Sequence, residues 1–366
     1  MTKHTLFLLH GMGDHQSKQW SEDVWNKLVE CSNRYKHFET TKALDAYAEP
    51  FPIEYDTYIR NALSRWDAQA TSFGEFVESN NVGTADSLDW LSGVGADDVD
   101  FKISHIADVI VCRYFPLEYG QIRANVQLEI FKEIREKRNR NSSAKFSVMA
   151  HSLGTSVAHD ALATLGSATK IGDDVNTFST ENFRFHSIHM LANVSRLLEQ
   201  TPKAYESVVR PGASSTRNRY CNRMYCHDHE LDPFTKPKPF DPVTWGSGFR
   251  MSKLNHYRGW NIHGWLHYLD NPRVHIPLLK SITKTTAISP KQEREAVNDY
   301  PRYGDDLENI DEAKDQIATL HSLAQRIDQD RDVRENIDDL KNMWIALNTL
   351  KDLAGDTWST LEGSVS

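Results

Sequence analysis

Lys145-Phe146-Ser147-Val148-Met149-Ala150-His151-Ser152-Leu153-Gly154-Thr155 reads as a strand that breaks without a loop into a helix. Phe146 to Ala150 is the strand, and Gly154 to Leu165 carries the helical pattern. Such a join forces the residue at the turn into strained backbone and brings strand and helix close together. Small residues are then needed two places either side of it, and Ala150 and Gly154 supply them in an Ala-x-Ser-x-Gly arrangement. Ser152 is the residue at the turn. Its hydroxyl is expected above the sheet edge, beside a helix N-terminus whose dipole favours developing negative charge. The five-residue pattern alone is weak; the strand before it and the helix after it make it specific. The bland alternative is an ordinary strand–helix turn that happens to carry serine.

Working outward, Thr5-Leu6-Phe7-Leu8-Leu9 is a continuous apolar run, as expected of a strand buried on both faces of a parallel sheet. A helix with Trp20, Val24, Trp25, Leu28 and Val29 on one face follows. Ala46 to Tyr55 looks extended, and Pro50 and Pro52 restrict it to a sheet edge or a strand end. Ile106 to Cys112 reads as a strand and Gln121 to Arg138 as an amphipathic helix. Phe185 to Val194 is a further apolar run, Arg223 to His227 a short one, a last strand falls before Trp260, and a helix runs on to Ile282 from Val274. Strands alternating with helices predict an α/β fold with a mostly parallel central sheet flanked by helices.

Two regions depart from that rhythm. Residues 60–102 scatter Trp66, Phe73, Phe76 and Trp90 among Gly, Ser, Asn and Asp, the pattern of a lid-like insertion. Past residue 290 the chain turns acidic: from Gly304 to Ser366 there are 15 Asp and Glu against 6 Lys and Arg, which accounts for the whole net charge of −9. Apolar residues at helical spacing there (Ile317, Leu320, Leu323, Ile327, then Ile337, Leu340, Trp344, Leu347) predict a helical hairpin. The organisation is therefore a domain over 1–290 and an acidic helical extension over 291–366, whose apolar stripe is expected to pack on the domain itself, with self-association as the alternative.

No basic stripe suits nucleic acid, and no apolar run reaches the roughly 18 residues of a membrane span. The N-terminal apolar run is too short for a signal-peptide core, so a cytoplasmic address is expected. Four cysteines in 366 residues make no disulfide framework. Cys221 and Cys226 with His227 and His229 match no zinc spacing, and neither a metal nor a cofactor is expected.

His10-Gly11-Met12-Gly13 closes the first strand. Acyl transfer needs two backbone N–H groups aimed at an oxyanion, one just after the nucleophile and one from a loop after an early strand. Leu153 and Met12 are the candidates. Gly11 and Gly13 allow close approach, and the loop lacks the spacing of a phosphate-binding loop.

With both loops in view, the chain resembles the α/β-hydrolase superfamily over roughly Thr5 to Ile282. Its Ala-His-Ser-Leu-Gly turn is similar to that of DDHD-type phospholipases and GPI-inositol deacylase relatives. Its His-Gly-Met-Gly-Asp loop looks like that of palmitoyl-protein thioesterases. The resemblance implies a serine esterase, lipase or thioesterase acting on a small-molecule or lipid ester, with a triad in the order Ser, acid, His. For the acid, Asp232, set before Pro233 at a strand end, is preferred to Asp228. For the base, histidines 256, 263, 267 and 275 lie in the right part of the chain; His263 leads, with His267 as the alternative. Two other readings stand beside this one: a non-catalytic scaffold of the same fold whose helical tail recruits a partner, and a metal-dependent hydrolase built on the Cys221–His229 cluster.

Overall fold

Strand β1 (His4–Leu9) lies in the interior of a six-stranded sheet, every residue of it buried. The computed structural model describes residues 3–11, 19–61, 116–196, 204–212, 219–230, 232, 235, 238–242, 244–255, 263–283 and 285–300, with 318, 319, 322, 323, 326 and 342. The other strands of the sheet are β2 (Ala48–Ile53), β3 (Phe146–His151), β6 (Phe185–Leu191), β7 (Cys221–His229) and β8 (Phe249–Leu254). Their order is β2-β1-β3-β6-β7-β8, and every pairing is parallel. A separate two-stranded ribbon, β4 (Lys170–Ile171) with β5 (Asp174–Val175), turns at Gly172, whose φ of 58° suits glycine. Its two-residue strands are too short to leave a periodic pattern in the sequence.

The unbroken apolar runs are explained by the two layers that cover the sheet. Phe7, Leu9, Phe146, Val148 and Ala150 face a core completed by α3 (Pro116–Arg140) and α4 (Leu153–Ser167). Leu6, Leu8 and Met149 point the other way, into a core with α1 (Gln19–Asn33), α2 (Lys36–Thr40), α5 (Trp265–Asp270) and α6 (Pro272–Ile282). A strand whose alternate residues enter two apolar cores has no polar face to show. Helix α4 is almost wholly buried, which its Gly, Ala, Ser and Thr content permits.

Most boundaries fall near those expected. β7 is longer than the Arg223–His227 run: it begins at Cys221 and continues through Asp228 and His229, buried strand residues despite their polarity. β2 pairs only with β1 among the described residues, in keeping with its two prolines. The expected strand at 106–112, most of the 60–102 insertion, and most of the tail hairpin lie outside the described residues. The start of the 291–366 extension is α7 (Pro290–Asp299), capped by Ser289 and Gln292 in a reciprocal box. It packs against α6, and the Tyr300 hydroxyl just after it donates to Asp270 Oδ2 at 2.8 Å. No helix among the described residues is long and apolar enough to cross a membrane.

The chain leaves β1 for β2 and then returns to place β3 on the other side of β1. The direction of winding reverses between β1 and β3. Ligands of open α/β sheets gather at the carboxyl ends of the strands flanking such a reversal. His10 and Gly11 follow β1, and Ser152 follows β3.

Buried histidines set the acid limit of this fold. Desolvation pushes His227 and His4 down to about 3, the latter aided by the positive charges of His186 and Lys145. Burial likewise lowers His267 and His275 to about 4. Each stays neutral in the folded chain while the unfolded chain takes up a proton near 6.5. Above pH 6.5 both states are neutral and nothing is lost. Below it the unfolded state binds more protons, and each histidine removes about 1.4 kcal/mol of stability per pH unit until its folded value is reached. Urea midpoints are therefore expected to fall steeply between pH 6.5 and 4, and less steeply in His227→Leu. A flat profile over that window would rule the account out.

Candidate active site

The join between β3 and α4 is as abrupt as the sequence implies. Ser152 sits at φ 51° and ψ −127°, one of two non-glycine residues described with positive φ. Such a conformation costs on the order of 1–3 kcal/mol and persists only when its surroundings impose it. They do so from both sides. The Ser152 N–H donates to the Leu191 carbonyl at 3.0 Å, and the Ser152 carbonyl accepts the Thr155 N–H at 2.8 Å and its hydroxyl at 2.6 Å. A Cβ on Gly154 would overlap the carbonyl oxygen of His10 and lie 2.7 Å from that of Leu9. Helix α4 thus crosses β1 in backbone contact, which explains the glycine.

From this turn a hydrogen-bonded chain runs across the carboxyl end of the sheet. The Ser152 hydroxyl donates to His263 Nε2 at 2.8 Å, and His263 Nδ1–H donates to Asp232 Oδ2 at 2.8 Å. Asp232 is fully buried, whereas the His263 side chain keeps 21% of its exposure. A proton on Nδ1 leaves Nε2 as the acceptor facing the serine, the tautomer a general base requires. Two loops and a turn separated by up to 111 residues meet here.

Tyr268, in α5, is a member that sequence reasoning missed. Its hydroxyl donates to the same Asp232 oxygen at 2.8 Å and accepts the His229 N–H at 2.9 Å. Desolvation, reinforced by the charge of Asp232, raises its phenol well above the ordinary value, so it remains a donor. A lone tyrosine between His267 and Leu269 carries no local pattern that could have revealed this.

The other candidates are placed elsewhere. Asp228 accepts the Asn193 N–H at 3.1 Å and braces the turn after β6 at Ala192, where φ is 48°. His267 packs its ring edge against His229, centroids 5.5 Å apart, and neither ring nitrogen has a hydrogen-bond partner among the described residues. His275 is held inside α6 by Tyr35 and the Leu269 carbonyl. His256 and Met12 lie outside the described residues, as does Pro233. Leu153 is the first residue of α4, where backbone N–H groups have no partner within the helix. Gly11 is packed against the serine: a Cβ there would stand 3.0 Å from the Ser152 Cβ. Its loop is stiffened by His10, stacked on Tyr55 at 4.0 Å and bonded through Nδ1–H to the Gly11 carbonyl at 2.8 Å.

Neither a protein-family model nor any curated protein matches the chain. The site must be read from its own geometry.

That geometry contains a foil. Ser207 donates to His159 Nε2 at 2.7 Å, His159 Nδ1–H to Asp160 Oδ1 at 2.8 Å, and the Tyr119 hydroxyl to Asp160 Oδ2 at 2.8 Å. The same four residue types are joined in the same order. Yet His159 and Asp160 are neighbours in the middle of α4, and the Ser207 oxygen also accepts the Val209 N–H at 3.1 Å. Nothing there matches a strained turn opening a helix. The two arrangements differ in backbone setting rather than in hydrogen-bond order.

Cys221 and Cys226 are buried free thiols, raised by burial, and Cys226 Sγ accepts from the Asn193 amide at 3.1 Å. Among the described residues no three His, Cys, Asp or Glu side chains are grouped to hold a metal ion.

Proposed function

We propose that the chain is a serine hydrolase of the α/β-hydrolase type, cleaving carboxylic esters or thioesters through an acyl-enzyme on Ser152. The observation that carries this reading is the Ser152–His263–Asp232 hydrogen-bonded chain at the sheet's winding reversal, with the serine held at positive φ. In the first step Ser152 Oγ attacks the substrate carbonyl while His263 Nε2 takes its proton. Asp232 stabilises the imidazolium and keeps its orientation. The negative charge on the carbonyl oxygen is met by the Leu153 N–H at the start of α4, with the second donor assigned to Met12. The imidazolium then gives its proton to the departing alkoxide or thiolate, leaving an acyl-serine. Water, deprotonated by His263, attacks the acyl carbon; the proton returns to Ser152 Oγ as the acid leaves.

A fluorophosphonate probe tests this directly, because it labels only an activated serine. Wild type is expected to gain one adduct, mapped by peptide mass to Ser152. Ser207→Ala should label like wild type, since that hydroxyl belongs to a clamp. An unlabelled wild type would favour the non-catalytic scaffold, and label on Ser207 would exchange the two clusters. A panel of p-nitrophenyl esters and acyl thioesters of rising chain length then reads the acyl preference.

A further inference from the structure

His151 stands between the small Ala150 and Ser152, at the first of the two positions of the turn motif that spacing leaves unassigned. It closes β3, paired in register with Leu191, and is 6% exposed. Its Nε2 lies 2.6 Å from the main-chain carbonyl oxygen of His263. The ring packs beside those of His263 and Trp265, at 5.0 and 5.2 Å between centroids, and edge-on to Tyr268 at 5.9 Å. On its other side the Gly11 backbone presses in: a Cβ there would meet His151 Nδ1 at 3.0 Å.

We propose that His151 is a positioning residue, whose Nε2–H holds the carbonyl of His263 and so keeps that imidazole on Ser152; this rests on the serine-hydrolase reading. Asp232 fixes only the rotation of the His263 ring, through Nδ1. The place of the ring follows the main chain from which it hangs, and that chain segment is a turn, outside any helix or strand. The anchor comes from the residue bonded to Ser152 itself, so nucleophile and base share the shortest lever the sequence allows. Wedged between the Gly11 loop and the His263 turn, the same side chain also sets the spacing of the two loops across the serine.

Two replacements separate the N–H from the ring. His151→Gln puts an amide N–H at the same reach, while His151→Phe keeps the aromatic packing and loses the donor. Misplacing a catalytic group by about 1 Å costs on the order of 100-fold. The Phe variant is therefore expected to lose about that factor in kcat and in fluorophosphonate labelling rate, with KM and melting temperature near wild type. The Gln variant should recover most of the loss. Should the Phe variant not fold, His151→Asn, whose amide falls short of the carbonyl, takes its place. Labelling of the Phe or Asn variant within threefold of wild type overturns the positioning role. Equal impairment of Gln and Phe overturns it as well, assigning the effect to the imidazole ring. An unlabelled wild type is a different failure, that of the hydrolase reading, and removes the proposal with it.

Discussion

Ser152→Ala is expected to lower ester hydrolysis by a factor on the order of 10⁶, leaving only what binding and the oxyanion donors supply. The fold should survive, because the anchors of this turn are backbone groups: the Ser152 N–H to Leu191 and the Ser152 carbonyl to Thr155. Ser152→Gly sharpens the test. Glycine adopts positive φ freely and so releases the strain of about 1–3 kcal/mol, against an entropy cost of about 0.5–1 kcal/mol. Over most of that range the strain term is larger, so the Gly variant should be as inactive as the Ala variant yet melt higher than it. Hydrolysis by Ser152→Ala within tenfold of wild type would sink the serine mechanism. A Gly variant that melts lower than the Ala variant would show that the turn is not strained.

Gly154→Ala should have the largest effect on stability. The added methyl would overlap the carbonyl of His10 and come within 2.7 Å of that of Leu9. Both belong to or adjoin β1, which is paired on both sides and cannot yield without disturbing β2 and β3. Overpacking against movable side chains costs about 1–3 kcal/mol; against fixed backbone the loss should exceed about 3 kcal/mol. Gly120 in α3 is the control, since a Cβ there meets nothing within 4 Å. Gly120→Ala should gain roughly 0.5–1 kcal/mol of helix propensity. Urea denaturation of the two variants would therefore move in opposite directions, and a Gly154→Ala midpoint equal to wild type would refute the contact between α4 and β1.

These contrasts indicate which parts of the molecule could be read from the chain alone. β1 and β3 were legible because burial on two faces leaves an apolar run that only a central strand needs. The turn at Ser152 was legible because its small neighbours are demanded by local sterics. The end of β7 is hard to read because Asp228 and His229 are polar by type and buried by context. Among four histidines His263 leads for the proposed base only by a small margin, since none carries a strong local signature and the choice depends on which loop reaches the carboxyl end of β3. Asp232 gained some signal from its following proline, whereas Tyr268 had none. His151 fills a variable position of the turn pattern, and its bond to the His263 carbonyl is a contact across 112 positions. The Ser207 clamp shows the converse limit, that residue types meeting in the right order do not by themselves define a site.

The separation of Ser152 from His263 also has a consequence in time. Between them the chain must make β6, β7 and β8. A ribosome adding about 5–20 residues per second needs roughly 5–20 s to cross that gap of 111 residues. Over that interval the nascent chain carries its serine with no imidazole beside it, an ordinary alcohol surrounded by the acyl compounds of the cell. On the serine-hydrolase reading, activation would wait for β8 and the turn that carries His263, so the newly made protein would acquire its chemistry only as it acquires its shape.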